Sequence, residues 1–328
     1  MANPFPSSSP VSANIPMAPG TPGAHLPPFP FVLFLPASMS PSLAPPYQLV
    51  ITDIDGTLLA DDGSLPDLNR EALMHCSAIG VRVCLATGRR WTTCSRLLER
   101  LELHGLVDFC ILNNGMILHE VGTGKNLYRR EFPFALVLAA VERLASLSLE
   151  PVILGHNPDG RTRDVFYRGD ALSNADFIDK NPDHCLRVTQ WHDLEGAHLL
   201  ELILIGGLKP LERAADALAG LEVETAIIRN TFYREYMLEI TPRGVSKWLG
   251  AAELLAHLGL DPRQSLAVGD SANDHVLLKH IPMSIAMANG DDRSRALARE
   301  ITGGNAEGGF GQAVFRHLPR SAPGPTGA

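Results

Sequence analysis

Short apolar runs alternate with amphipathic helical patterns near both ends of the chain. Three such runs stand in the first part, and their sequences are "YQLVIT", "VRVCLAT" and "FCILNNG". Two more, "SLAVGD" and "SIAMANG", follow the helical pattern "GVSKWLGAAELLAHLGL". Strands that are apolar throughout are buried on both faces, and strands that alternate with helices form parallel sheets. The sequence therefore predicts an α/β fold with a doubly wound parallel sheet.

The middle of the chain follows another pattern. Strand candidates crowd together there ("EPVILGH", "LLELILIGG", "ETAIIRN" and "REYMLEITP"), with helical patterns near 133–147 and 210–221. A chain of 328 residues is long enough for two domains. We therefore expect an inserted α+β domain at 123–243, within a core made of 47–122 and 244–318.

The two ends of the chain have the composition of disordered segments. Residues 1–46 hold 13 of the 25 prolines and no Lys, Arg, Asp or Glu. Proline at this density blocks both helix and sheet, so we predict a disordered leader at 1–46 and a disordered tail at 319–328. The apolar fragment "FVLFL" is far shorter than the roughly 20 residues that span a bilayer. Met39 is an alternative start, so the sequence leaves open whether residues 1–46 are translated or functional.

Charge and cysteine content narrow the possible partners and location. The net charge of −8 argues against nucleic acid as the main partner, and no segment predicts a membrane anchor. The five cysteines include no C-x-x-C pair and no Cys/His cluster with zinc spacing. Buried reduced thiols in a cytoplasmic protein are the expected result. The oligomeric state stays open.

Polar residues follow four of the predicted core strands. They are Asp53 and Asp55, then Thr87, Gly88 and Arg89, then Asn113 and Asn114, then Asp270, Asn273 and Asp274. Each group alone is explained by helix capping or a turn. Parallel strands bring their carboxyl ends to one edge of the sheet, where ligands bind. Several carboxylates in one place need a cation, and an oxygen-only ligand set favours Mg²⁺.

These residues also carry a family resemblance. The segments "DIDGTLL", "ATGR", "GVSK" and "GDSAND" resemble the four motifs of the haloacid dehalogenase superfamily, over about residues 47–318. Thr87 and Lys247 lie 160 positions apart. This spacing resembles that of the Cof-type phosphatases, which carry a large C2-type cap between the second and third motifs. The resemblance implies a Rossmann-like core and a cap that selects the substrate.

The resemblance also implies roles for single residues. Asp53 would attack phosphorus and form an aspartyl phosphate, and Asp55 would give a proton to the leaving oxygen and take one from water. The expected phosphate-binding residues are Gly56, Thr57, Thr87, Gly88, Lys247 and Asn273. Mg²⁺ would be held by Asp53, the main-chain carbonyl of Asp55 and Asp270, with Asp274 supporting the metal or Lys247.

Other positions keep two interpretations. Arg89 and Asn114 either reach the substrate or form a turn or cap. His275 is expected at the surface or in a helix, with contact to the substrate as the alternative, and Trp248 is a candidate for the rim of the pocket. Polar residues of the inserted segment that would line the cleft, or else face solvent, are His156, Arg161, Arg163, Asn174 and Arg234.

The function implied is a Mg²⁺-dependent phosphomonoester hydrolase acting on small phosphorylated metabolites, such as sugar phosphates or phosphorylated cofactors. A dedicated sucrose or glucosylglycerate phosphate phosphatase shares the motifs and remains an alternative. A receiver domain, whose threonine and lysine lie close in sequence, fits poorly with the 160-residue gap. An inactive sensor of a phosphate ligand stays open in principle.

Overall fold

A computed structural model describes residues 45–156, 163–169, 174–230 and 235–320, and two β-sheets organise them. The first sheet has the strand order β14-β13-β12-β1-β2-β3-β4-β5. Its strands are β1 (Leu49–Thr52), β2 (Arg82–Ala86), β3 (Phe109–Leu112), β4 (Ile117–Glu120), β5 (Lys125–Arg129), β12 (Ser265–Gly269), β13 (Met283–Ala286) and β14 (Glu300–Ile301). Residues 1–44 of the predicted leader and 321–328 of the predicted tail lie outside the described residues.

Helices cover both faces of the first sheet. These helices are α1 (Asp67–Ala78), α2 (Trp91–Arg100), α6 (Lys247–Leu258), α7 (His275–His280), α8 (Asp292–Leu297) and α9 (Gly309–His317). Along β1, Val50 packs in the cluster that includes Leu73 and Leu98, whereas Ile51 packs in the one that includes Leu254. Burial on both faces explains why the strand is apolar throughout. The predicted doubly wound α/β fold is confirmed.

One edge of this sheet departs from the prediction of a purely parallel sheet. Strands from β14 to β3 are parallel, but β3, β4 and β5 pair antiparallel. The hairpin places β5 in the first sheet, although the inserted domain was expected to begin at residue 123. Its residues are of mixed polarity because an edge strand is only partly covered.

The second sheet is built from residues between Val152 and Pro242 and has the order β10-β11-β9-β6-β7-β8. Its strands are β6 (Val152–Gly155), β7 (Val165–Tyr167), β8 (Cys185–Arg187), β9 (Leu199–Gly206), β10 (Val223–Asn230) and β11 (Glu235–Pro242). Three helices accompany this sheet: α3 (Phe134–Ala145), which precedes it in the chain, α4 (Ala175–Lys180) and α5 (Leu208–Ala217). Leu202 and Leu238 pack with Val137 of α3 and Leu211 of α5 in one core. Successive side chains of a strand point to opposite faces of the sheet, so Glu201 and Glu239 lie on the face opposite Leu202 and Leu238.

The two chain segments that join the sheets run side by side. The Arg130 side chain donates a hydrogen bond from Nη2 to the Arg243 carbonyl oxygen over 2.8 Å. Close by, a Cβ on Gly115 would lie only 1.9 Å from the Ser246 carbonyl oxygen. Gly115 also has φ 109°, so no other residue fits this contact.

The sequence alone predicts that Val245, Trp248, Leu249, Ala252 and Ala256 form one apolar stripe of α6, but the helix buries another face. Its buried residues are Lys247, Gly250, Ala251, Leu254 and Leu255, and Ala256 is exposed.

All five cysteines are buried and none forms a disulfide bond, as expected. Within the described ranges, no helix is both long and apolar enough to cross a membrane.

Candidate active site

The carboxyl ends of four neighbouring strands form the candidate active site. The order β12-β1-β2-β3 sets Asp270, Asp53, Thr87 and Asn113 at one edge of the first sheet. Backbone hydrogen bonds continue past the strand ends, from Asp53 N to the Val268 carbonyl (3.0 Å) and from Asn114 N to the Thr87 carbonyl (3.1 Å). The groups that the sequence places after separate strands are therefore adjacent in space.

Lys247 is the centre of the site. Its Nζ lies 2.5 Å from Asp53 Oδ1 and 2.7 Å from Asp274 Oδ1, and the lysine is fully buried at the first residue of α6. Burial alone lowers the pKa of Lys247, but Asp274 and Asp53 outweigh it and raise that pKa. The lysine is therefore a fixed positive charge between two carboxylates.

The acidic residues carry more negative charge than this one lysine balances. Burial raises the pKa of Asp53 well above its usual value, and Asp274 and Asp270 add to the rise, while Lys247 opposes it. Burial and the charge of Asp274 likewise raise the pKa of Asp270 to about 6. Oxygen atoms of Asp53, Asp270 and Asp274 lie within 4.8 Å of one another. This all-oxygen donor set fits a hard divalent cation.

Asp274 is held on all sides by the protein. Its Oδ2 accepts hydrogen bonds from the backbone N–H groups of Asp270 (3.0 Å) and Ser271 (3.1 Å), while Oδ1 binds Lys247. With both oxygens engaged, Asp274 is placed to orient the loop after β12 and the lysine. This geometry favours the supporting role over direct ligation.

The turn after Asp55 packs directly against Asp270. Gly56 has φ 84°, and a Cβ there would lie 2.5 Å from Asp270 Oδ2. The Thr57 hydroxyl donates to Asp270 Oδ1 over 2.8 Å. The Gly-Thr pair therefore serves the turn and also fixes the orientation of Asp270.

The loop after β2 supplies the next group. Thr87 is buried, and its hydroxyl oxygen accepts a hydrogen bond from the Arg89 backbone N–H over 3.1 Å. A Cβ on Gly88 would approach Asn114 Oδ1 to 3.1 Å, so this loop lies against the end of β3. The Arg89 side chain reaches Asp55 through Nε (2.7 Å) and Nη2 (2.5 Å).

Asn114 connects the two sheets. Its Nδ2 donates to Glu239 Oε2 of the second sheet over 3.3 Å, and its Oδ1 accepts from Asn273 Nδ2 over 3.2 Å. Asn113 and Asn114 both adopt left-handed backbone angles, with φ 48° and 54°. Asparagine tolerates this region better than most residues, and consecutive left-handed residues at a site indicate a functional constraint.

An inter-sheet cavity of about 640 Å³ opens above these groups. The first-sheet side includes Asp55, Asp270 and Asn273, and the second-sheet side includes Glu224, Glu239 and Thr241. We call this space, with these six residues in its lining, the inter-sheet cavity.

Several positions singled out in the sequence lie elsewhere or have structural partners. Asn174 is buried and binds the Glu150 carbonyl and the Ile205 N–H, so it supports the second sheet. His156 hydrogen bonds to Asn126, and Arg163 is exposed. Trp248 stacks on His280, and His275 contacts Asp291. Arg161 and Arg234 lie outside the described residues.

Three acidic residues and one arginine were missed. Arg90 Nη1 binds Asp164 Oδ1 over 2.7 Å, and both side chains are almost completely buried. Glu239 of β11 lines the inter-sheet cavity, and Glu201 of β9 lies near it, fully buried. The signal that could have identified Glu201 and Glu239 is that each is a single acidic residue within an apolar run, "LLELILIG" and "YMLEITP".

Comparisons with known proteins agree with this arrangement. The family model for haloacid dehalogenase-like hydrolases matches residues 50–314. A 5-amino-6-(5-phospho-D-ribitylamino)uracil phosphatase of Bacillus subtilis is 28% identical over 276 residues, which are 82% of this chain and 95% of the relative. An HMP-PP phosphatase of Yersinia pestis is 26% identical over 260 residues, 74% of this chain and 84% of the relative. A crystal structure of a haloacid dehalogenase-like hydrolase from Bacteroides thetaiotaomicron superposes with a TM-score of 0.67 at 23% identity, covering 82% of this chain and 99% of the other.

Proposed function

Because the chain belongs to the family of haloacid dehalogenase-like hydrolases, we propose that it is a Mg²⁺-dependent phosphomonoester hydrolase. Its substrates would be small phosphorylated metabolites, and the reaction would pass through an aspartyl phosphate. The observation that carries the proposal is Asp53, a buried carboxylate at a strand end that is paired with a buried lysine.

Asp53 is the proposed nucleophile. One of its oxygens forms a bond to phosphorus while the bond from phosphorus to the leaving oxygen breaks, and Asp55 gives that oxygen its proton. In the second half, water attacks the phosphorus of the aspartyl phosphate, Asp55 takes a proton from the water, and the bond to Asp53 breaks. Phosphate leaves and both aspartates return to their starting states.

The remaining groups would bind the transferring phosphoryl group. They are Lys247, the turn residues Gly56 and Thr57, the loop residues Thr87 and Gly88, and Asn273. Phosphoryl transfer depends mainly on positioning and on neutralising charge, so fixed donors and a fixed cation favour it. The hydrogen bonds that hold Thr57 and Asn273 support such fixed positions.

The acidic residues suit Mg²⁺, with Asp53, the main-chain carbonyl of Asp55 and Asp270 as its proposed ligands. The raised pKa values of Asp53 and Asp270 support this assignment, because a divalent cation stabilises the ionised carboxylates. When bound, Mg²⁺ supplies positive charge that orients the phosphoryl oxygens and offsets their negative charge. Asp274 would act through Lys247 and the backbone of its own loop.

The names of the relatives support a small substrate but do not identify it. One relative is named for a phosphoribitylamino uracil and another for HMP-PP, and both names describe small phosphorylated compounds. We propose that the inserted segment covers the site and selects among such compounds. Five buried, unpaired cysteines support a cytoplasmic location.

The test is hydrolysis of p-nitrophenyl phosphate with Mg²⁺ and with a chelator, followed by a panel of phosphorylated metabolites. We expect metal-dependent turnover in the wild type and none in Asp53→Asn. Asp292→Asn is the matched control, since Asp292 is almost fully exposed. Acid quenching of Asp55→Asn with ³²P-labelled substrate should trap label on the protein.

A folded wild type that binds a phosphate ester without hydrolysing any of the panel would instead support the inactive sensor. Turnover that persists in Asp53→Asn would overturn the aspartyl phosphate.

A further inference from the structure

The second-sheet side of the inter-sheet cavity is acidic. Glu224 and Glu239 both belong to it, and Thr241 adds a neutral hydroxyl. Among the described lining residues, none carries a positive charge. A ligand that fills the cavity from the phosphoryl site therefore meets carboxylates at its far end.

Glu239 is the inner of these two carboxylates. It is partly buried, and its register partners are Ala226 of β10 and Ile203 of β9, which cannot pair with its charge. Glu224 is exposed and already accepts a hydrogen bond from the Gly244 backbone N–H over 3.0 Å. Each glutamate thus accepts one hydrogen bond from the protein, but Glu239 is the less exposed to water, so its remaining acceptor positions depend more on a partner in the cavity.

The state of Glu239 follows from its neighbours. Burial raises the pKa of Glu239 above its usual value, and the charge of Lys247 and the hydrogen bond from Asn114 oppose that rise. Glu201, on the adjacent strand, is fully buried with Oε1 unpaired, and burial and the charge of Glu239 raise its pKa well above the usual value. Lys247 and Asn114 therefore favour the ionised form of Glu239, which is the more accessible of the two glutamates. An ionised carboxylate accepts hydrogen bonds and donates none.

Glu239 is also connected to the candidate reaction centre. Asn114 holds Glu239 Oε2 on one side and Asn273 on the other. This chain of hydrogen bonds fixes the carboxylate relative to the phosphoryl-binding groups, so it faces whatever is attached to the phosphate.

Resting on the proposed function, we infer that Glu239 selects the leaving group of the substrate. The favoured leaving group carries a hydroxyl or amine donor where it meets Glu239. A leaving group with a second negative charge there, such as a carboxylate or another phosphate, is disfavoured by repulsion between like charges in a partly buried space.

The experiment compares matched pairs of phosphomonoesters. Sorbitol 6-phosphate and 6-phosphogluconate are open six-carbon chains that differ by a hydroxyl and a carboxylate at the far end. Glucose 6-phosphate and glucosamine 6-phosphate differ by a hydroxyl and an ammonium, which separates a polyol preference from an amine preference. The readout is the ratio of kcat/KM within each pair, for the wild type and for Glu239→Gln.

We expect the wild type to prefer sorbitol 6-phosphate over 6-phosphogluconate by about tenfold or more, and Glu239→Gln to reduce that ratio by about tenfold. Glutamine keeps an oxygen for Asn114, so the hydrogen bond between the sheets survives. Glu224→Gln is the matched control, because it removes one charge from the same cavity at its exposed side. It should leave the ratio within about twofold.

The outcomes separate this inference from the proposed function. The wild type alone can overturn the inference. It does so if it hydrolyses p-nitrophenyl phosphate but uses sorbitol 6-phosphate and 6-phosphogluconate equally well, or prefers 6-phosphogluconate; the proposed function then still stands. An equal change in Glu224→Gln and Glu239→Gln also overturns the inference, since charge in general would then be responsible. No turnover of any ester, p-nitrophenyl phosphate included, overturns the proposed function and the inference with it.

Discussion

Arg89 binds both carboxylate oxygens of Asp55, through Nε to Oδ2 at 2.7 Å and through Nη2 to Oδ1 at 2.5 Å. The Asp55 side chain is 59% exposed and that of Arg89 is 32% exposed. An exposed ion pair adds little stability, but a two-point contact fixes the plane of the carboxylate. The contact therefore matters for where Asp55 points.

The first prediction concerns that orientation. Arg89→Lys should lower kcat/KM about tenfold for an alkyl phosphate and less for p-nitrophenyl phosphate, because only a poor leaving group needs the proton from Asp55. Steady-state kinetics on both esters measure this difference. Arg100→Lys, on the same segment of chain, is the control. Equal losses on the two esters would contradict the role given to Arg89.

The second prediction concerns Lys247. Lys247→Met leaves Asp53 and Asp274 buried without their cation, so the free energy of unfolding should fall by about 3–5 kcal/mol. Urea unfolding in the presence of chelator measures the loss. Lys279→Met, at an exposed lysine, should change stability by less than about 0.5 kcal/mol. A Lys247→Met protein as stable as the wild type would contradict the buried charge balance.

The third prediction is a pH dependence of stability without metal. The pKa of Asp270 is raised from 3.8 to about 6 in the folded protein, so the folded state keeps a proton that the unfolded state has released. The contribution of Asp270 to stability is therefore greatest at low pH and falls as pH rises between about 4 and 6.

Thermal unfolding across this pH range, with chelator, measures the slope. Asp270→Asn should flatten it, whereas Asp292→Asn should not. Saturating Mg²⁺ should reverse the trend, since it binds the ionised form. A slope that Asp270→Asn leaves unchanged would assign the effect to another group.

The fourth prediction concerns the buried ion pair between Arg90 and Asp164, which joins the two sheets. Asp164→Ala leaves a buried guanidinium unpaired and should cost about 3–5 kcal/mol in urea unfolding. The double variant Arg90→Met with Asp164→Leu should recover most of that loss, because it removes both charges. Glu222→Ala breaks an exposed pair with Arg243 and should cost less than about 1 kcal/mol.

Five strands of the first sheet (β1, β2, β3, β12 and β13) were predictable because each lies in a short apolar run with burial on both faces. The site was predictable because its polar residues directly follow those strands and parallel pairing brings the strand ends together. The support of Lys247 by Asp274 followed only from the family resemblance, and the contact between Lys247 and Asp53, which lie 194 positions apart, was not predicted.

Other features depend on contacts that the local sequence does not encode. The segment "RWTTCSRLLERLELHG" by itself predicts a helix over 90–105, but α2 ends at Arg100 and Glu102 adopts a left-handed φ of 52°. The ion pair of Arg90 and Asp164 joins residues 74 positions apart. The sequence predicts a strand at Glu239, but the position of Glu239 in the cavity depends on how the second sheet lies against the first.

The hydrogen bond from Arg130 to the Arg243 carbonyl marks where the chain leaves the first sheet and returns to it. Because these two points are neighbours, the core closes whether the segment between them is long or short, and a longer loop adds only a slowly growing entropic cost. The segment that forms the second sheet is thus an insertion that leaves and rejoins the core at neighbouring points. On the proposed function, changes within the inserted segment would alter substrate preference without altering the proposed catalytic residues of the first sheet.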